Sequence, residues 1–321
     1  MRVLLFIFTL LMITVPTIQS RKALREGHNY QLGFYVLLAD NNVKGYEGNS
    51  KLWNPELPPW LQDVASALYF TFIHPVDMDV PPAFQKLAAS RGTNSTGAVP
   101  TNTTILFAIG GYSYSNSPNV WPWLANQYTA EAMARKVAKW PELYGCDGID
   151  IDIEDVAGNQ PGAGRNLVHF IKKLKEVNPK LIINQPVYGH PQDDAENYVV
   201  NHSWDTEGNS QGIADGITIM IYSGANSLLF VNNYHGRHWF YGPIHANVPQ
   251  SNIQVGCKGR ENASDILKLA TEVVNRGLAG ISVWYTSVTN GFHYEESFDA
   301  NRCESCIKAF RHAKSILKSK N

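Results

Sequence analysis

Eight short apolar runs, rich in β-branched and aromatic residues, recur along the chain with helical patterns between most of them. No other feature limits the fold so much. The runs cover residues 31–39, 68–73, 103–109, 148–153, 181–187, 216–222, 253–257 and 280–285. Amphipathic segments at 129–143, 165–177, 263–276 and 303–318 read as helices, and 82–90 as a weaker one; the first and sixth crossovers show no clear helix. Thr129-Ala130-Glu131 and Ser264-Asp265 supply helix-start chemistry, and Asn275-Arg276-Gly277 reads as a stop. Near-continuous apolar strands alternating with helices predict a parallel sheet covered by helices. An α/β fold, a single (β/α)8 TIM barrel, fits the count and the 321-residue length. A doubly wound open sheet would call for a glycine-rich phosphate loop, and no G-x-G-x-x-G or Walker-type stretch occurs.

A barrel puts function on the loops that leave the C-terminal ends of its strands. In this chain those loops are aromatic. Residues 40–60 carry Trp53 and Trp60; residues 112–128 carry Tyr112, Tyr114, Trp121 and Trp123; residues 223–251 carry Phe230, Tyr234, Trp239, Phe240 and Tyr241. The connections on the opposite face are short and plain. Any one ring is more simply explained by packing, but the set suggests a cleft lined with rings that stack on flat apolar ligands.

The fourth run is the most informative: Cys146-Asp147-Gly148-Ile149-Asp150-Ile151-Asp152-Ile153-Glu154-Asp155. Side chains alternate across a strand, so Asp150, Asp152 and Glu154 point one way and the three isoleucines the other. With isoleucine toward the helices, the acids enter the barrel roughly 6.5–7 Å apart. Asp147 has the wrong parity and is placed at the strand entrance. Burying unpaired carboxylates costs several kcal/mol, and crowded like charges raise at least one pKa. A proton held in this way is what cleavage of a glycosidic bond requires. A solvated edge strand would not interleave acids with pure isoleucine, and a calcium loop would need a glycine and an irregular backbone here. A catalytic divalent metal is an alternative, although no histidine lies nearby at ligand spacing and no H-E-x-x-H occurs.

The N-terminus has a short basic start, an apolar run over 3–15 and a small-residue stretch ending at Ser20, which reads as a cleaved secretory signal over 1–20. The barrel domain is then 21–321. Four sequons, at Asn94, Asn102, Asn201 and Asn262, suit a secreted or extracellular glycoprotein; a lysosomal destination shares the same signal. The net charge of −1 suggests neither nucleic acid nor a membrane as partner. Four cysteines are too few for a disulfide scaffold. Cys303 and Cys306 suit a local structural disulfide, Cys146 a buried thiol, and Cys257 is left open.

Asp147-Gly148-Ile149-Asp150-Ile151-Asp152-Ile153-Glu154 resembles the D-G-x-D-x-D-x-E signature of family 18 glycoside hydrolases, the chitinases and their relatives. Ile109-Gly110-Gly111-Tyr112-Ser113 is similar to the family's S-x-G-G motif, with Ala108 and Ile109 where serine would be looked for. Met220-Ile221-Tyr222-Ser223 looks like the sixth-strand M-x-Y-D motif, and Trp284 matches the tryptophan that floors the sugar site. The resemblance runs from about Gln31 to the end of the chain.

The resemblance implies a substrate-assisted retaining mechanism, an exception to the two-carboxylate scheme. Glu154 would be the acid, Asp152 would hold the acetamido N–H with Asp150 behind it, and Tyr222 would align the acetamido oxygen. Trp284, Tyr35, Phe72, Gly111, Tyr112, Met220 and Gln185 would be the substrate-binding residues. No cofactor and no metal are implied, and the partners would be chitin, chitooligosaccharides or N-acetylglucosamine-containing glycans. Two departures stand out. Ser223 replaces the motif carboxylate, and residues 258–278 leave no room for the α+β domain that many processive chitinases insert there. A lectin binding N-acetylglucosamine oligomers and an endo-β-N-acetylglucosaminidase cleaving the chitobiose core are the alternatives.

Overall fold

The computed structural model describes residues 31–38, 55–191, 194–236, 244–288 and 298–319. The expected signal at 1–20 and the loop residues Trp53, Trp239, Phe240 and Tyr241 lie outside them. Each apolar run pairs with the next in chain order: β1 (Gln31–Leu37), β2 (Ala67–Ile73), β3 (Thr104–Gly110), β4 (Gly148–Asp152), β5 (Ile182–Val187), β6 (Gly216–Ile219), β7 (Ile253–Lys258) and β8 (Gly280–Ser287). All pairs are parallel, and β8 returns to β1, closing an eight-stranded barrel. Nine α-helices are described: α1 (Pro59–Val64), α2 (Pro82–Ala89), α3 (Gln127–Val137), α4 (Trp140–Tyr144), α5 (Asp155–Gly158), α6 (Ala163–Val177), α7 (Asp194–Ser203), α8 (Ala263–Arg276) and α9 (Glu304–Lys318).

The two-residue strand period sorts each strand into two layers. Ile149, Ile151 and Ile153 turn outward with Ile183, Ile217, Ile253 and Val283 into one hydrophobic layer beneath the helices. Full burial of such a side chain stabilises by about 1.5–3 kcal/mol. The helices answer with stripes of their own. In α8, Ile266, Leu269, Ala270, Val273 and Val274 recur at the spacing of one helical face. Asn262 starts that helix by accepting the Ser264 N–H at 3.0 Å, and Gly277 ends it. Replacing Ile266 with Ala would leave a cavity between α8 and the barrel.

The barrel interior is unusually polar. Tyr69 donates to Gln254 Oε1 at 2.6 Å, Ser282 donates to the same oxygen, and Gln254 Nε2 donates to Gln31 Oε1 at 3.1 Å. At the N-terminal end, two aspartates just ahead of strands are clamped alike. Asp147 accepts the Ile105 N–H at 2.9 Å and pairs with Arg91 at 2.5 Å; Arg91 also donates to the Gly145 carbonyl at 2.6 Å. Asp215 accepts the Ile183 N–H at 2.9 Å and pairs with Lys175. Cys303 and Cys306 form a disulfide at the start of α9, while Cys146 and Cys257 are buried free thiols, both held protonated by burial. No helix among the described residues is long and apolar enough to cross a membrane.

Candidate active site

Asp150 and Asp152 point into the barrel from β4, and all three acids of this segment are buried. Asp150 Oδ1 accepts from Asn184 Nδ2 at 2.6 Å, and the same amide nitrogen donates to Thr218 Oγ1 at 2.9 Å. Burial pushes the Asp150 carboxyl up to about 7, against the pull of Asn184 and Tyr35. Desolvation, rather than repulsion between neighbouring acids, is thus the cause of the raised pKa. The Asp150 Oδ2 and Tyr35 hydroxyl atoms are buried without closing a hydrogen bond of ordinary geometry.

Glu154 follows the strand in extended backbone and stands just ahead of the short α5. Its N–H donates to Ser115 Oγ at 3.0 Å, Ser115 Oγ donates to the Gly111 carbonyl at 3.0 Å, and the Ser115 carbonyl accepts the Ala157 N–H at 2.8 Å. One buried serine therefore straps the loops after β3 and β4 together. Tyr188, one residue beyond β5, donates its phenol to Glu154 Oε2 at 2.8 Å and lies 3.3 Å from Asp155 Oδ1.

Beside the acids lies an aromatic floor. Trp284, partly exposed on β8, packs against Tyr35 at 5.4 Å, Phe72 at 5.7 Å and Tyr222 at 6.0 Å between ring centroids, the last stacked at 27°. The two glycines after Ile109 permit close approach. Gly110 has φ 94, and a Cβ there would fall 2.2 Å from the Asp152 carbonyl; Gly111 has φ 88, and a Cβ would fall 2.7 Å from the Phe72 ring. The Gly111 N–H donates to the Asp152 carbonyl at 2.7 Å, binding the two strand ends at the acids.

The structure thus gathers Asp150, Asp152, Glu154, Tyr222, Trp284, Tyr35, Phe72 and Gly111 at the C-terminal end of the barrel. Met220 is half-buried just past the end of β6, and Tyr112 stands 69% exposed at the rim after β3. Gln185 is not brought to the group. Its neighbours Ile183 and Val187 lie in the outer layer, and its amide donates to the Ile151 and Pro186 carbonyls at 2.7 and 3.0 Å. The ring-lined cleft also needs correction, because Trp60, Tyr114, Trp121, Trp123 and Tyr234 are buried. Trp121 Nε1 donates to the Tyr114 carbonyl at 2.9 Å and Trp123 Nε1 to the Pro75 carbonyl at 2.8 Å, so these rings pack loops onto the barrel. Sequence reasoning misses Asn184, Ser115 and Tyr188. Asn184 carries a signal as an amide of inward parity in an apolar strand, and Tyr188 by its place just past a strand's C-terminal end.

No protein-family model matches the chain, and no curated protein matches its sequence. Solved structures do match its fold. A chitinase of Rhizomucor miehei aligns with TM-score 0.58 and 14% identity over 88% of this chain and 99% of its own. The family 18 chitinase ChiB from the chitin utilization locus of Flavobacterium johnsoniae aligns with TM-score 0.62 and 14% identity over 90% and 96%. A chitinase-like agglutinin of Robinia pseudoacacia aligns with TM-score 0.56 and 11% identity over 88% and 99%. The chain has the family 18 glycoside hydrolase fold, that of chitinases and chitinase-like proteins alike.

Proposed function

We propose that the chain is a family 18 hydrolase that cleaves β-1,4-linked N-acetylglucosamine glycosides, chitin or chitooligosaccharides, in the secretory or extracellular space. The observation that carries this reading is the buried carboxyl row of Asp150, Asp152 and Glu154, with Tyr35, Phe72 and Tyr222 gathered around Trp284. Glu154 gives its proton to the glycosidic oxygen as the C–O bond breaks, and the substrate's 2-acetamido oxygen attacks the anomeric carbon, giving an oxazolinium ion. Water then attacks that carbon and returns a proton to Glu154. Asp152 holds the acetamido N–H. Asp150, whose carboxyl is pushed up to about 7, shares proton and charge with Asp152 from below. Tyr222 aligns the acetamido oxygen, and Trp284 stacks under the sugar whose bond is cut.

A second reading, a lectin for N-acetylglucosamine oligomers, is favoured by Ser223, which stands where the motif has a carboxylate, and by the fold shared with an agglutinin. Release of a fluorescent aglycone from di- and tri-N-acetylchitooligosaccharides separates the two. Hydrolysis is expected from the wild type and none from Glu154→Gln, which still binds the oligomers. Binding by the wild type without turnover would favour the lectin.

A further inference from the structure

One hydroxyl reaches the acid from the neighbouring strand. The Tyr188 phenol donates to Glu154 Oε2 at 2.8 Å and stands 3.3 Å from Asp155 Oδ1. Both backbone groups of Tyr188 are held: its N–H donates to Glu196 Oε2 at 3.2 Å, and its carbonyl accepts the Tyr234 hydroxyl at 2.5 Å. Asp155 adopts the left-handed region at φ 46, an uncommon backbone for a residue with a side chain, and in it the carboxyl meets the same phenol. A phenol has one proton to donate, so it serves one carboxyl at a time, and the shorter contact is to Glu154.

We propose that Tyr188 is the positioning residue for Glu154. Its hydroxyl donates to Oε2, fixes the carboxyl in place, and sets the pH at which Glu154 titrates by sharing one hydrogen bond between Glu154 and Asp155. The proposal rests on the reading of Glu154 as the proton donor. In that step the carboxyl O–H bond breaks, the proton passes to the glycosidic oxygen, and the electron pair stays on the carboxyl oxygen. The carboxylate so formed is the species that the phenol hydrogen bond favours, while the like charge of Asp155 opposes it. Among the described residues, Glu196 on α7 and Tyr234 on the β6–β7 connection hold the Tyr188 backbone, and Asp150 and Asp152 precede Glu154 on β4.

The test uses the whole protein labelled with ¹³C at glutamate carboxyls, with Glu154→Gln identifying the Glu154 signal. Tyr188→Phe is expected to raise the Glu154 midpoint by about one pH unit. The alkaline limb of kcat/KM should move with it, and KM should change by less than about twofold. Asp155→Asn, which the left-handed backbone tolerates, should lower the midpoint, and it carries the test if Tyr188→Phe does not fold. A midpoint unmoved by both variants overturns the proposal. Midpoints moved by the variants, with no hydrolysis by the wild type, would uphold the control of Glu154 and sink the hydrolase reading. Active hydrolysis with unmoved midpoints would do the reverse.

Discussion

Aspartates stand near both ends of β4, and the barrel treats them oppositely. Asp147, at the entrance, is paired with Arg91 and a backbone N–H; Asp215, ahead of β6, repeats the arrangement with Lys175. Deeper in the barrel and at its far end, Asp150 and Glu154 are held by an amide and a phenol. A cation and a backbone N–H together hold a carboxylate in one place and make it a structural tie. Neutral donors orient a carboxyl without a countercharge, and at Asp150 burial outweighs their pull and keeps the proton on to about 7. The same residue type thus serves the fold at one end and, in the proposed hydrolase, is kept for chemistry at the other, as barrels divide their labour.

Exchanging damage between the ends tests this contrast. Glu154→Gln should cut aglycone release by ~10³-fold or more and leave Tm unchanged. Asp147→Ala should do the opposite: it strands Arg91 and the Ile105 N–H, costs about 2–4 kcal/mol of stability, and leaves kcat alone. A Tm loss in the first variant or a kcat loss in the second would dissolve the distinction.

The next effect is smaller and depends on pH. Burial keeps Asp150 protonated to about 7 in the folded protein, whereas an unfolded aspartate releases its proton near pH ~3.9. The folded state therefore binds the extra proton. The stabilisation linked to this carboxyl is complete below about pH 4 and is lost as pH rises to about 7. Asp150→Asn should flatten that slope by an amount on the order of 2–4 kcal/mol, read as Tm of both proteins between pH 4 and 8. Parallel curves would show that Asp150 does not carry the slope. The smallest effect is expected at the Cys303–Cys306 disulfide, which closes so short a loop that its loss should cost only ~2 kcal/mol. Cys303→Ser should lower Tm by a few degrees and leave hydrolysis unchanged.

The strands are legible in the sequence because apolar β-branched runs serve one purpose in a parallel barrel. Helix α8 keeps its expected span and ends at Gly277 as read, but its cap is Asn262 rather than the expected Ser264-Asp265. The expected helix over 129–143 is interrupted instead, and α3 and α4 meet at Ala138 and Lys139, with Pro141 inside the first turn of α4. Helix α7 escapes because its paired valines and its asparagines blur the helical pattern. The sixth run stops at Ile219 rather than Tyr222, where the Ile221 N–H turns back to the Ile219 carbonyl at 2.9 Å. In the site, the β4 acids follow from alternation alone. Asn184, Ser115 and Tyr188 do not, because each contact joins separate strands and only tertiary structure brings it about. Gln185 shows the converse: one step of parity moves a plausible polar residue to the far side of the sheet.

Ser115 has a consequence for how the chain can vary. One hydroxyl and one carbonyl anchor the start of the loop after β3 to Gly111, Glu154 and Ala157. The stretch beyond Ser115 can then exchange residues at its exposed positions, and so alter what it meets outside the barrel, without disturbing the acid. Adaptation to new ligands and retention of the chemistry are in this way assigned to different segments of a single loop.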